Sequence, residues 1–398
     1  MRMYLLALNP TDSVTDGFLP AAARLGLSVT VLTDSPEAHR KAYAGMESAP
    51  EVVECPVHDH REVIGLISQL QAPDAVFSNS DHLQTQTALA AEYFGLPGKD
   101  WKATLRAKNK AQFRRHLAAA GLDAVWSGEL APGQDPAELD PPFPCVVKPR
   151  EGVASEDVAL VADAAELAER VAAIRSRRSG AALVVEEFLA GELYTLETLG
   201  DGTVRHVLGG FRTRLSPPPN FIEEVLEFVP AHPQAVTEQV LAQLDAVGVG
   251  LGACHTEFVL QADGRARIIE INYRAIGDQC DLMLAQLLEI PFFEHVLRAH
   301  LGVPLPADLG ARTDGRARNE AVCADRAGVL TAAPGAHDQD RDGVKLTYRP
   351  FRPVGERHDH YGTNRDYLGV IWAVGTDQAA VDRAVAEFIA ANRWEITA

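Results

Sequence analysis

Short apolar runs alternate with amphipathic stretches over the first hundred residues. Residues 3–8, 28–33 and 75–78 are apolar runs of strand length, and residues 17–26, 60–71 and 82–95 carry apolar positions at helical spacing. That alternation predicts a small parallel α/β domain. Asn9-Pro10-Thr11-Asp12-Ser13 follows the first run, at the strand end where open α/β sheets hold ligands, but it lacks GxGxxG and so argues against a dinucleotide. Ser78-Asn79-Ser80-Asp81-His82 ends another run and either lines a substrate side or caps the next helix. From residue 109 to about 203 the pattern reads helix, loop, strand, small-residue loop, helix (163–176, opened by Asp163) and two strands. Further strands over 344–349 and 367–374 precede a helix over 377–393.

The chemistry concentrates in two acidic segments, His255-Thr256-Glu257-Phe258 and Ile268-Ile269-Glu270-Ile271-Asn272-Tyr273-Arg274. Asp263-Gly264 between them reads as a hairpin turn joining apolar strands. Neighbouring antiparallel strands can present Glu257 and Glu270 side by side, and the strand period of two puts Asn272 on the same face, with Arg274 next if the strand persists. Two carboxylates and an amide carbonyl are hard oxygen ligands suited to Mg²⁺ on nucleotide phosphates rather than to zinc. An arginine beside them can stabilise charge on a transferring phosphoryl group. The alternative is an amphipathic hairpin with a solvated polar face.

A chain of 398 residues exceeds one compact core, so two or three domains are expected. The formal net charge of −18 argues against a nucleic-acid backbone or an anionic membrane as partner, and any nucleotide must rely on local cations such as Lys110, Lys148 and Arg274. The five scattered cysteines form no CxxC pair and read as reduced, mostly buried thiols. The first apolar run stops at Asn9-Pro10, and no run approaches the roughly 20 residues that span a bilayer, so a cytoplasmic protein is expected.

In motif order, residues 1 to about 300 resemble the ATP-grasp superfamily, whose members activate a carboxylate with ATP and pass the acyl phosphate to a nucleophile. The resemblance implies an α/β ATP-grasp fold. It would comprise an N-terminal parallel α/β (pre-ATP-grasp) domain over 1–108, a small lid lobe over 109–203 and a larger C-terminal α+β lobe with an extension over 204–398. Lys110 matches the first ATP lysine, with Asn109 where an acidic residue often stands. Lys148 in Val-Val-Lys-Pro matches the second, and the loop from Arg150 to Ser155 matches the phosphate-covering loop, with a single glycine. Glu186, Glu187, Phe188 and Leu189 match the hinge that holds adenine. Glu192 stands in for the ribose-binding acid, shifted by one because Leu193 precedes the aromatic Tyr194. Glu257, Glu270 and Asn272 match the metal ligands and Arg274 the reaction-site arginine. Tyr273 replaces the usual proline and Ala275-Ile276-Gly277-Asp278 a more glycine-rich turn, a variant similar to ligases of amino-acid and siderophore pathways.

Arg212 and Arg214, two apart on one predicted strand, would aim both guanidiniums at one face, toward an acid substrate or an acyl phosphate; the other reading pairs them with Glu223-Glu224. The resemblance implies ATP and Mg²⁺ as cofactors, with Mn²⁺ an alternative. It also implies small-molecule carboxylic acid and amine substrates, and a homodimer, which is common in the family. The expected reaction is an amide or peptide ligation releasing ADP and phosphate. A thiol or hydroxyl acceptor, a siderophore-assembly ligase using a citrate-like acid, and a non-catalytic nucleotide-binding regulator are the alternatives. No biotin-attachment Met-Lys segment is present, which disfavours a self-contained biotin carboxylase.

Overall fold

The computed structural model describes residues 1–122, 125–310 and 314–398. Its first domain is a parallel sheet of β1 (Arg2–Leu6), β2 (Ser28–Thr33), β3 (Glu51–Glu54) and β4 (Ala75–Phe77), in the order β3-β2-β1-β4. Helices α1 (Leu19–Arg24), α2 (Pro36–Tyr43) and α3 (His60–Gln69) connect these strands, and α4 (Gln84–Tyr93) follows the last. A parallel strand is covered on both faces, which is why β1 reads as an unbroken apolar run and buries Leu5 and Leu6 completely. Edge strand β3, Glu-Val-Val-Glu, is only half-buried and gives no such run. The helix expected over 17–26 begins instead as a π-helical turn, Ser13–Phe18, before α1.

Helices α5 (Trp101–Lys108) and α6 (Lys110–Ala119) meet at Asn109, whose side chain accepts from the Gln112 N–H at 3.0 Å and so caps α6. A four-stranded antiparallel sheet follows, built from β5 (Ser127–Leu130), β6 (Cys145–Pro149), β7 (Ala159–Val161) and β8 (Leu183–Glu187) in the order β5-β8-β6-β7. Helix α7 (Ala164–Arg177) covers it with Leu167, Val171 and Ile174, spaced to share one helical face.

The large sheet takes in β9 (Glu192–Asp201), β10 (Arg205–Val207), β11 (Gly210–Leu215), β12 (Glu223–Val229), β13 (Leu251–Leu260) and β14 (Ala266–Asn272), with α8 (Gln234–Val247) packed against it. Helices α9 (Cys280–Leu288) and α10 (Phe292–His300) lead to β15 (Arg316–Cys323), β16 (Gly328–Ala332), β17 (His337–Arg341), β18 (Val344–Pro350), β19 (Arg357–His358), β20 (Tyr367–Gly375), α11 (Gln378–Ala391) and β21 (Glu395–Thr397). The order is β14-β13-β9-β11-β12-β15-β20-β18-β17, with β10 on β9, while β16, β19 and β21 form a small separate sheet. Strand β9, which a division at 203 leaves with the small lobe, pairs with β13 along its whole length and is part of the large sheet.

The first domain is not independent. Phe18 and Phe77 from it meet Phe293 of α10 in one apolar cluster, with Phe18 ring centroids 4.7 Å from Phe77 and 4.9 Å from Phe293. Gly17 permits the approach, since a Cβ there would lie 2.4 Å from the Phe293 ring. Among the described residues no helix is long and apolar enough to cross a membrane.

Candidate active site

One cavity of about 440 Å³ opens between the small sheet and the large one. Its floor is the β13–β14 hairpin, turned at Gly264 with φ +81°. Glu257 pairs directly opposite Glu270 in the register, and Asn272 follows on the same face, its Nδ2 donating to Glu257 Oε1 at 3.1 Å. The strand stops at Asn272. Arg274 still lines the cavity because its carbonyl accepts from the His255 N–H at 3.1 Å, which holds the chain against β13 one pair further.

Lys110, the first residue of α6, is buried with Nζ 2.9 Å from Glu270 Oε1. His255 stands two residues before Glu257 and so shares its face. Its Nδ1 lies 2.7 Å from Glu197 Oε1 and its Nε2 3.6 Å from Glu257 Oε1. Burial alone would lower the imidazole pKa; the Glu197 and Glu257 carboxylates overcome it and push it up to about 10, so His255 is cationic.

Opposite the hairpin, Lys148 reaches in from β6. Its Nζ is 2.7 Å from Glu186 Oε2, while Arg114 Nε and Nη2 hold the same carboxylate at 2.8 and 3.2 Å. Burial would raise the Glu186 carboxyl, but Arg114 and Lys148 hold it down at about 2. Glu186 is thereby committed to two side-chain cations. Glu187, Phe188 and Leu189 complete this wall, with Glu187 Oε1 3.3 Å from Arg267 Nη1.

The loop after β6 brings Gly152 and Ser155 over the cavity. Ala154, Ser155 and Asp157 all adopt left-handed backbone (φ 55°, 54° and 58°), a strain non-glycine residues tolerate only where the surroundings impose it. Glu156 supplies part of that constraint by pairing with Arg178 of the small lobe and with Arg365 beyond the large sheet.

Three expected residues are not in the cavity. Arg212 and Arg214 are exposed on the face of β11 opposite to cavity-lining Leu193 and Leu226, because Thr213 between them points inward. Arg214 lies 3.7 Å from Glu224, as the pairing alternative had it, and Arg212 pairs with Glu192 at 2.5 Å. Glu192 is likewise exposed, and Leu193 takes its place on the wall. Sequence reading missed Arg114, one helical turn after Lys110 on α6, and the His255–Glu197 pair, whose partners face each other across β13 and β9. The donor set suits magnesium on nucleotide phosphates: two opposed carboxylates and an amide leave other coordination positions to substrate oxygens, with lysines at hand for those oxygens.

An ATP-grasp domain family model matches residues 141–282, which contain β6, the hinge and the β13–β14 hairpin. That segment matches an ATP-grasp domain, and the chain has an ATP-grasp fold. The crystal structure of an L-amino acid ligase from Bacillus licheniformis superposes on it with a TM-score of 0.82 at 24% identity, over 100% of this chain and 99% of that one. The uncharacterized protein y4rH of Sinorhizobium fredii is 27% identical over 425 aligned positions, covering 100% of this chain and 84% of the relative. A D-alanine–D-alanine ligase from an Anaeromyxobacter species is 29% identical over 200 positions, 46% of this chain and 62% of that enzyme. Within the ATP-grasp fold the small sheet is the lobe above the cavity, and the β13–β14 hairpin its floor.

Proposed function

We propose that this ATP-grasp chain is an ATP-dependent ligase that converts a carboxylate to an acyl phosphate and condenses it with an amine, releasing ADP and phosphate. The observation that carries this reading is the single wall on which Glu257, Glu270, Asn272 and Arg274 stand, facing Lys148 across the cavity with Lys110 beside them. Similarity to an L-amino acid ligase and a D-alanine–D-alanine ligase favours amine acceptors over other nucleophiles.

The chemistry demands such a wall because hydroxide is a poor leaving group and a carboxylate resists attack by an amine. Transfer of the γ-phosphoryl group to the carboxylate oxygen breaks the bond to ADP and leaves a mixed anhydride, which the amine attacks with loss of phosphate. Magnesium, held by Glu257, Glu270 and Asn272, would supply charge neutralisation on the phosphates. Lys110 and Lys148 would bind phosphate oxygens, each oriented by a carboxylate, Glu270 or Glu186. His255, cationic between Glu197 and Glu257, fixes the Glu257 side chain for its role. Arg274 would stabilise charge on the carboxylate and departing phosphate. The loop carrying Gly152 and Ser155 would exclude water that otherwise hydrolyses the anhydride.

The test is release of ADP and phosphate from Mg-ATP across a panel of acids and amines, singly and in pairs, with mass spectrometry of products. Turnover requiring one acid plus one amine, with a product lighter than their sum by one water, is the expected result. ADP release that depends on an acid and a thiol, or that yields no condensed product, would overturn it.

A further inference from the structure

The cavity continues past Arg274 into a part that none of the ATP or metal roles uses. Asp278 stands there on a turn in which it and Gln279 are both left-handed, with φ 52° and 67°. Gln279 locks the turn by donating to Asp12 Oδ2 at 2.5 Å and accepting from Trp372 Nε1 at 3.4 Å, and Asn319 donates to the Asp278 carbonyl at 3.2 Å. These bonds secure the backbone and leave the Asp278 carboxylate facing the cavity, with no ion pair or hydrogen bond among the described residues.

Glu223, at the start of β12, lines the same end. Its N–H donates to Asn364 Oδ1 at 3.2 Å, its carbonyl accepts from Tyr367 Oη at 2.6 Å, and its Oε2 accepts from Asn364 Nδ2 at 3.2 Å. Its Oε1 is buried without a partner among the described residues. Asp278 and Glu257 are both close enough to act electrostatically on Glu223. Arg274 and His255 act electrostatically on this end, but neither forms an ion pair with Asp278 or Glu223 among the described residues; Arg274 Nη1 donates to the Ala275 carbonyl and His255 pairs with Glu197.

We propose that Asp278 and Glu223 read a cationic group, an ammonium or guanidinium, on one of the two substrates, an inference that rests on the ligase reading above. A neutral ligand would leave Glu223 Oε1 without a partner and the exposed Asp278 carboxylate unpaired, and an anionic one would face the Asp278 charge. A cation set between them gains charge-assisted hydrogen bonds. Arg274 and the phosphates would hold the reacting carboxylate, so the cation is a second group on the substrates, past Arg274. It is either the α-ammonium of an amino acid or a side-chain amine.

Two matched pairs of probes separate these sources: L-alanine against L-lactate, and L-lysine against L-norleucine. Each is titrated calorimetrically into the full chain with Mg²⁺ and a non-hydrolysable ATP analogue, and tested for ADP release with Mg-ATP and amine partners. The cationic member of at least one pair is expected to bind roughly ten- to a hundredfold more tightly, a preference that Asp278→Asn and Glu223→Gln each reduce by a similar factor while analogue binding persists. Preference in the alanine pair assigns the α-ammonium, and preference in the lysine pair the side chain. Absence of any cation preference, an unchanged preference in Asp278→Asn, or loss of Mg²⁺ affinity in its place overturns the assignment. Cation-selective binding without ADP release overturns the ligase reading and keeps this one; ADP release from acids and amines with no cation preference does the reverse.

Discussion

Single side chains in this cavity are held by opposite charges, and each pairing makes a prediction. Glu270→Gln keeps shape but removes a charge facing both Lys110 and Glu257, so turnover should fall below detection with the circular dichroism spectrum unchanged; normal turnover would remove Glu270 from the metal set. Arg274→Ala should lower kcat by about 10²-fold or more with little change in the KM for ATP, and equal loss in both would make Arg274 a ground-state binding residue. Glu186→Ala removes the carboxylate that pairs with the buried Arg114 and Lys148, at a cost of about 3–5 kcal/mol measurable by denaturant titration. Because the folded Glu186 carboxyl lies at about 2 against an ordinary 4.5, its contribution is complete above about pH 4.5 and fades as pH falls toward about 2, so acid denaturation of the variant should lack that component. Glu257, Glu270 and Asn272 were legible because strand period and turn chemistry alone set them on one face. Arg212, Arg214 and Glu192 were misplaced for the complementary reason: alternation puts them together, but nothing local says which face of β9 and β11 meets the cavity. Arg114 and Glu197 act through partners 72 and 58 residues away, a distance that local pattern does not bridge.

Elements were read best where their burial is uniform. Strand β20 is apolar throughout and β1 is so after Arg2, and α7 and α11 carry regular stripes and an Asp cap each, so their bounds agree with the structure to within about two residues. The half-exposed β3 and the π-helical start at Ser13 lack such signals. The loop between β6 and β7 is held across the cavity by Glu156, whose carboxylate touches Arg178 and Arg365. Glu156→Gln should therefore leave this loop more open, raising the KM for ATP several-fold and quickening proteolysis within residues 150–158. Unaltered cleavage would mean the left-handed loop backbone holds its shape without the ion pairs. Helix α5 is anchored differently. Lys99, just before it, is buried and donates to Gln84 Oε1 and to the Tyr273 carbonyl, both at 2.6 Å, which ties the first domain to the residue between Asn272 and Arg274.

In the whole molecule the first domain and the large sheet share a core. Phe293→Ala should cost about 3–5 kcal/mol, and far- and near-ultraviolet melts should still shift together, since the first domain loses its covering when α10 does. Separate transitions would show two independently stable bodies. The sequence suggested separable domains because strand and helix alternation marks where a sheet begins and ends, whereas the aromatic contact joining Phe18 to Phe293 spans most of the chain. Gly17, where even a methyl group would strike the Phe293 ring, marks how tightly that joint is drawn. The joint has a mechanical consequence: the first domain and the helix behind the hairpin floor share one core, so a change in cavity width that spares this core must fall on the four-stranded sheet, which joins the large one through residues 188–191.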